Sequence, residues 1–114
     1  MQPRFRVVEL SSLPAEPCPC GTARRAFIDD EDQTASIHLV EIATDAKSHY
    51  HQSHTEIYYI LEGSGHLELD GELVPVTAGT AVLIKPGCRH RAIGKLKLIN
   101  IPIPAFDPSD ECFD

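Results

Sequence analysis

Apolar and polar residues alternate in short runs along most of this chain. The clearest case is HLELDGELVPV (66–76), where the alternation runs on both sides of Asp70-Gly71. An Asp-Gly pair between two such runs predicts a β-hairpin, because both central residues of a type I′ turn need positive φ. Four further runs read as strands: SIHLVEIA (36–43), TEIYYILEG (55–63) with Gly63 closing it, TAVLIKPG (80–87) and KLKLINIPI (95–103). Near the start, FRVVEL (5–10) is a fifth candidate. No segment shows a capped helical period. Several short strands separated by turn signals predict an all-β barrel or sandwich.

The pattern divides the chain into three zones within one expected domain, 1–114. Residues 1–33 form an N-terminal arm with an edge strand, a Ser- and Pro-rich stretch, the pair Arg24-Arg25 and an acidic run, Asp29 to Asp32, expected in a solvated turn. Residues 34–103 form the barrel core. Residues 104–114 are an acidic tail expected to drape over the barrel surface, anchored by Phe106 and Phe113.

The chain has 114 residues and 42% hydrophobic content, enough for one modest core. Its net charge of -7 argues against a nucleic-acid backbone or an anionic membrane as partner. No apolar run reaches the ~20 residues that span a bilayer. The first residues do not read as an export signal, so a cytoplasmic location is expected. Cys18 and Cys20 flank Pro19 too tightly for an unstrained mutual bridge, and with Cys88 and Cys112 they are expected as free thiols. CPCG resembles part of a zinc knuckle, but a second metal site through Cys18, Cys20 and Cys112 lacks a fourth thiol outside the main site.

The chemistry concentrates in HYHQSHTE (49–56). His49 and His51 are spaced i, i+2, which places both imidazoles on one face of a strand. A short turn can bring Glu56 back beside them as an anionic ligand. His90 follows the Pro86-Gly87 turn at the head of another strand candidate. Neutral imidazoles with one carboxylate suit Fe, Mn, Co, Ni, Cu or Zn rather than Mg or Ca.

These residues carry a family resemblance. HYHQSHTEIYYILEG resembles the first cupin motif, with His49, His51, Glu56 and Gly63 in its positions. GTAVLIKPGCRH resembles the second, matched by Gly79, Gly87 and His90. Lys85 stands where that motif has its first Pro, and Gly94 where an Asn that is not a metal ligand is usual. The resemblance covers about residues 34–103. It implies a jelly-roll (double-stranded β-helix) cupin barrel. It also implies one divalent transition metal at its mouth, held by His49, His51, Glu56 and His90, with two positions open to water or substrate. It points to a homodimer as well.

Other residues can contribute. Tyr58 shares the parity of Glu56, so it points into the barrel, either to orient a substrate or as plain core. Tyr59 points outward. His54 reads as a replacement ligand, an acid-base group or an exposed turn residue. His38 and His66 are expected in structural or surface roles, and Cys88 as a small turn residue. Arg89 and Arg91 flank His90 with opposite parity and point away. The expected function is a small metalloenzyme acting on a small polar molecule, with Glu56, Tyr58 and His54 as catalytic candidates and dioxygenation as the first subclass. The alternative is a non-catalytic module that binds a sugar or carboxylate through its metal.

Overall fold

The computed structural model describes residues 3–18, 21–43 and 46–113. Among them are ten strands: β1 (Glu16–Cys18), β2 (Gly21–Ala26), β3 (Ile37–Ile42), β4 (Tyr50–His51), β5 (Thr55–Leu69), β6 (Glu72–Thr77), β7 (Ala81–Ile84), β8 (His90–Ile93), β9 (Leu96–Ile103) and β10 (Glu111–Cys112). All strand pairs are antiparallel. They curl into a jelly-roll barrel, the all-β architecture expected from the alternation.

One wall has the order β1-β2-β3-β9-β5-β7. The facing wall has β6 and β8 on either side of the far half of β5. β5 therefore belongs to both walls. It crosses between them at an irregularity between Ile60 and Glu62, followed by Gly63 at φ 95°. A Cβ on Gly63 would sit 2.4 Å from the Lys95 carbonyl oxygen, so only glycine lets β9 pass this closely. Gly63 thus bends the strand where the alternation predicted its end. The Asp70-Gly71 hairpin is as expected, with φ 48° and 84°.

Two corrections fall in the N-terminal arm. FRVVEL is not a strand; it leads into a short 3-10 turn at Leu10–Ser12, with Phe5 and Val7 exposed. The sheet instead recruits GTARRA as β2, which pairs with β3 over its whole length. The two arginines hid this strand, although Ala23 and Arg25 share its inward face.

Inward-facing residues lie in rows across the larger wall. The deeper row is apolar: Ala23, Val40, Leu98 and Ile60 are direct neighbours on β2, β3, β9 and β5. Leu98 and Ile60, with Leu67 opposite, are at most 1% exposed. Each such side chain contributes roughly 1.5–3 kcal/mol on burial. The next row toward the mouth is polar: Arg25, His38, Asn100 and Tyr58 occupy the corresponding positions on the same four strands. The floor of the cavity is therefore dry and its rim is built for polar contact. On the outer face of the same wall, Tyr59 and Leu83 are exposed, as the parity of Tyr59 predicted.

Candidate metal centre

β4 and β5 are joined by the turn Gln52–His54, and this turn folds Glu56 back onto His51. His49 pairs with His90 through two backbone hydrogen bonds, of 3.1 and 2.8 Å. Strand alternation then turns His49, His51, Glu56 and His90 to one point. Each offers one ligand atom, and the four atoms lie within 4.8 Å of one another. Glu56 Oε1 is 2.8 Å from His51 Nε2 and 3.1 Å from His90 Nε2.

The outer ring nitrogens explain the orientation. Nδ1 of His49 faces the Lys47 carbonyl at 3.2 Å, Nδ1 of His51 faces the Asp110 carbonyl at 3.2 Å, and Nδ1 of His90 faces the Cys88 carbonyl at 2.9 Å. A carbonyl only accepts, so each Nδ1 must carry the proton and donate. In the neutral ring that leaves every Nε2 as a lone pair aimed inward. His51 Nε2, His90 Nε2 and Glu56 Oε1 are buried, and although close together they form no well-oriented hydrogen bond. Buried polar atoms normally have partners. Two ring nitrogens and a carboxylate oxygen without them, joined by His49 Nε2, fit a divalent cation, with the outer nitrogens held as in known metal-binding histidines.

The electrostatics agree. Burial alone would raise the Glu56 carboxyl, but contact with His51 and His90 holds it well below the usual carboxylate range. Burial pulls His51 down, yet Glu56 and then Glu111 carry it above its ordinary value. His49 falls to about 4, first through burial and then through the neighbouring His90. Glu56 is thus ionised and His49 neutral at pH 7, the states that ligate metal.

The cluster opens into a cavity in which about 100 Å³ is available to the centre of a water molecule. One water needs roughly 10–15 Å³ on that measure, so a small molecule fits. Tyr58 lines the cavity, with its ring edge-on to His90 at 5.9 Å. His38 lines it too; it is buried, bonded to Ser36 Oγ at 2.9 Å and lowered to about 4 by burial and then by Arg25. Arg89 stacks on Tyr50 and Arg91 pairs with Glu68, both away from the site as expected.

Two expectations need correction. His54 is not an exposed turn residue: it is 6% exposed, with Nδ1 2.5 Å from Asp110 and Nε2 2.9 Å from the Ala105 carbonyl. Neither nitrogen is left for a substrate, which removes the geometric basis for His54 as a catalytic group. The tail, in turn, is not merely draped over the surface. β10 pairs with β4, setting Glu111 opposite His51, and Glu111 Oε1 lies 3.8 Å from His49 Nε2. Phe113 packs on His49 with ring centroids 5.9 Å apart. Spacing gave no sign of Glu111, and Phe113, expected only as an anchor of the tail, reaches a ligand histidine. The short turn before them was readable, since Asp107 precedes Pro108 and caps Ser109 N at 3.0 Å. No cluster of thiol ligands is present among the described residues, where Cys88 and Cys112 are free; Cys20 lies outside them.

No helix among the described residues is long and apolar enough to cross a membrane. Residues 37–97 match the profile of the cupin domain. An uncharacterized protein of Methanocaldococcus jannaschii is 34% identical over 76 residues, covering 63% of this chain and 61% of that protein. The crystal structure of a protein from Planctomyces limnophilus superposes with TM-score 0.89, at 41% identity over 96% of each chain. Pac13, described as a nucleoside dehydratase, superposes at 0.79 with 17% identity, covering 96% of this chain and 94% of its own. With both motifs in place on a jelly-roll barrel and the profile matching more than half its length, the chain belongs to the cupin-domain family.

Proposed function

We propose that this cupin is a small metalloenzyme. His49, His51, Glu56 and His90 hold one divalent transition metal, Fe, Mn, Co, Ni, Cu or Zn, beside a cavity that takes a small polar molecule. The observation that carries this reading is the trio of Nδ1-to-carbonyl contacts, which leaves three imidazole lone pairs and a carboxylate facing one another. A metal bound there would act as a Lewis acid or activate oxygen. The protein would supply the rest: a dry floor around Leu98 and Ile60, and the Tyr58 ring beside His90 to orient the bound molecule.

Dioxygenation is the first reaction to test. Dehydration is the second, because Pac13 is described as a dehydratase on the same fold. Cys88 and Cys112 are free thiols, which supports the cytoplasmic location that belongs to this reading. The exposed Tyr59 and Leu83 support a homodimer.

The deciding experiment is elemental analysis of protein purified without a metal-affinity column, followed by oxygen-uptake and product screens with small polar compounds. About one metal ion per chain, lost in His51→Ala, is expected. Full occupancy in that variant would disprove the ligand set. A redox-inert metal, with ligand binding but no turnover, would favour the non-catalytic binding module instead.

A further inference from the structure

The polar row holds two buried atoms that nothing in the protein satisfies: Arg25 Nε and Asn100 Oδ1. Both residues line the same cavity as the metal cluster. They flank His38, which neighbours Arg25 on β2 and Asn100 on β9. The row then continues to Tyr58, two residues beyond Glu56 on the same strand face. Arg25 and Tyr58 are three strands apart, roughly 14 Å between backbones. Their side chains close much of that distance from opposite ends.

Arg25 is held in place for recognition. Its guanidinium lies over the Phe106 ring, 4.7 Å from the centroid. Its Nη1 reaches outward to the exposed Glu16 at 3.5 Å, a loose contact. That leaves Nε–H buried without an acceptor in a side chain that lines the cavity. A stacked guanidinium edge is well suited to a planar carboxylate. His38 adds no second cation, because burial and then Arg25 keep its ring neutral near pH 7. Asn100 Oδ1 needs a donor, such as a hydroxyl or ammonium. The acidic groups nearest the mouth have other engagements: Asp107 takes both the amide and the hydroxyl of Ser109, and Glu111 faces His49.

We propose that Arg25 and Asn100 form an acid-recognition subsite: Arg25 takes the carboxylate of a small hydroxy or amino acid, and Asn100 accepts from its hydroxyl or ammonium. This deepens the metalloenzyme reading by naming its substrate class, since the far end of such an acid then faces Glu56 and His90. The matching primary amide still offers Arg25 an acceptor but without the charge, and the plain acid leaves Asn100 Oδ1 without a donor, so both bind less well.

The test is calorimetric binding of lactate, 3-hydroxypropanoate and β-alanine, each against its primary amide, with metal content measured on every sample. In wild type each acid should bind at least about tenfold tighter than its amide, the scale of one hydrogen bond to a charged group. Arg25→Met should reduce that preference to within about twofold, and Arg25→Lys should keep part of it. Should Arg25→Met not fold, Arg25→Gln, which keeps much of the contact with Phe106, takes its place. Asn100→Leu should weaken 3-hydroxypropanoate but not propanoate. The proposal is overturned if wild type does not distinguish acid from amide, if no acid binds at millimolar concentration, or if the preference survives the loss of Arg25. In that last case the carboxylate sits on the metal. If wild type carries no metal and the preference still vanishes without Arg25, the subsite stands and the metalloenzyme reading falls.

Discussion

Asp110 and His54 are bonded at 2.5 Å across 56 residues of sequence, and this contact fastens the C-terminal tail to the turn inside the first motif. The same carboxylate accepts from the backbone amides of Gln52, Ser53 and His54, at 3.0–3.2 Å. Burial works against its ionisation, but His54 and the amides hold its carboxyl below the ordinary value. The Asp110 carbonyl, meanwhile, accepts from His51 Nδ1. One tail residue therefore shapes the turn and orients a candidate metal ligand.

Asp110→Ala should cost about 2 kcal/mol of stability, because a buried ring nitrogen and three amides lose their acceptor at once. Metal affinity should fall with it, since β10 would no longer be anchored beside His51. Thermal unfolding and metal titration of the variant check both. A melting temperature equal to wild type would show that the tail is not fastened through this carboxylate.

Glu56→Gln keeps the size of the side chain and one oxygen while removing the charge. A divalent site with one carboxylate carries a net +1; the variant site carries +2. Metal should still bind through His49, His51 and His90, more weakly, while turnover falls by at least about tenfold. Side-by-side metal titration of both proteins, then rate measurements once a substrate is found, test this. Indistinguishable metal affinities would mean that Glu56 is not a ligand.

Chelator-treated protein should lose stability as pH falls from about 6.5 to 4. His38 and His49 both drop from 6.5 to about 4 in the folded chain, chiefly through burial. In that window the unfolded chain binds more protons, so their contribution is complete above 6.5 and lost as pH passes through 4. Each contributes at most about 3 kcal/mol. His51, raised by Glu56 against its burial, gains its contribution above 6.5 and keeps it in full below, so it adds no slope in this window. Melting temperatures of wild type and His38→Gln between pH 7.5 and 4 decide the matter: the variant should show the shallower loss. Parallel curves would remove His38 from the account.

The outer face of the larger wall should be a dimer contact. Tyr59 pairs with Ile99, and Ile57 lies between Leu83 and Ile101, so apolar residues run across three strands, with Leu83 60% exposed. Light scattering should give a dimer for wild type at micromolar concentration and a monomer for Leu83→Glu, because a charge inside an apolar interface is not solvated. A wild-type monomer would end this reading.

The alternating runs and the Asp-Gly pair identified the hairpin of β5 and β6, and the i, i+2 histidines with Glu56 identified the cluster. Both depend on the two-residue period of a strand, a local rule that survives folding. Gly63 could be found by its place in the motif, but its role could not. The same residue type ends a strand or bends one, depending on which backbone passes beside it, here that of Lys95. β2 went unseen because Arg24 and Arg25 look like solvated charge. Only pairing with β3 turned Arg25 inward, where Phe106 from the far end of the chain stacks on it. Asp110 and Glu111, and the partners of His54 and Phe113, were beyond local reading for the same reason. Ligand types and their strand faces are set by neighbours in sequence. The shape of the cavity, the direction of each imidazole and the unmatched atoms of Arg25 and Asn100 arise where segments dozens of residues apart exclude water together.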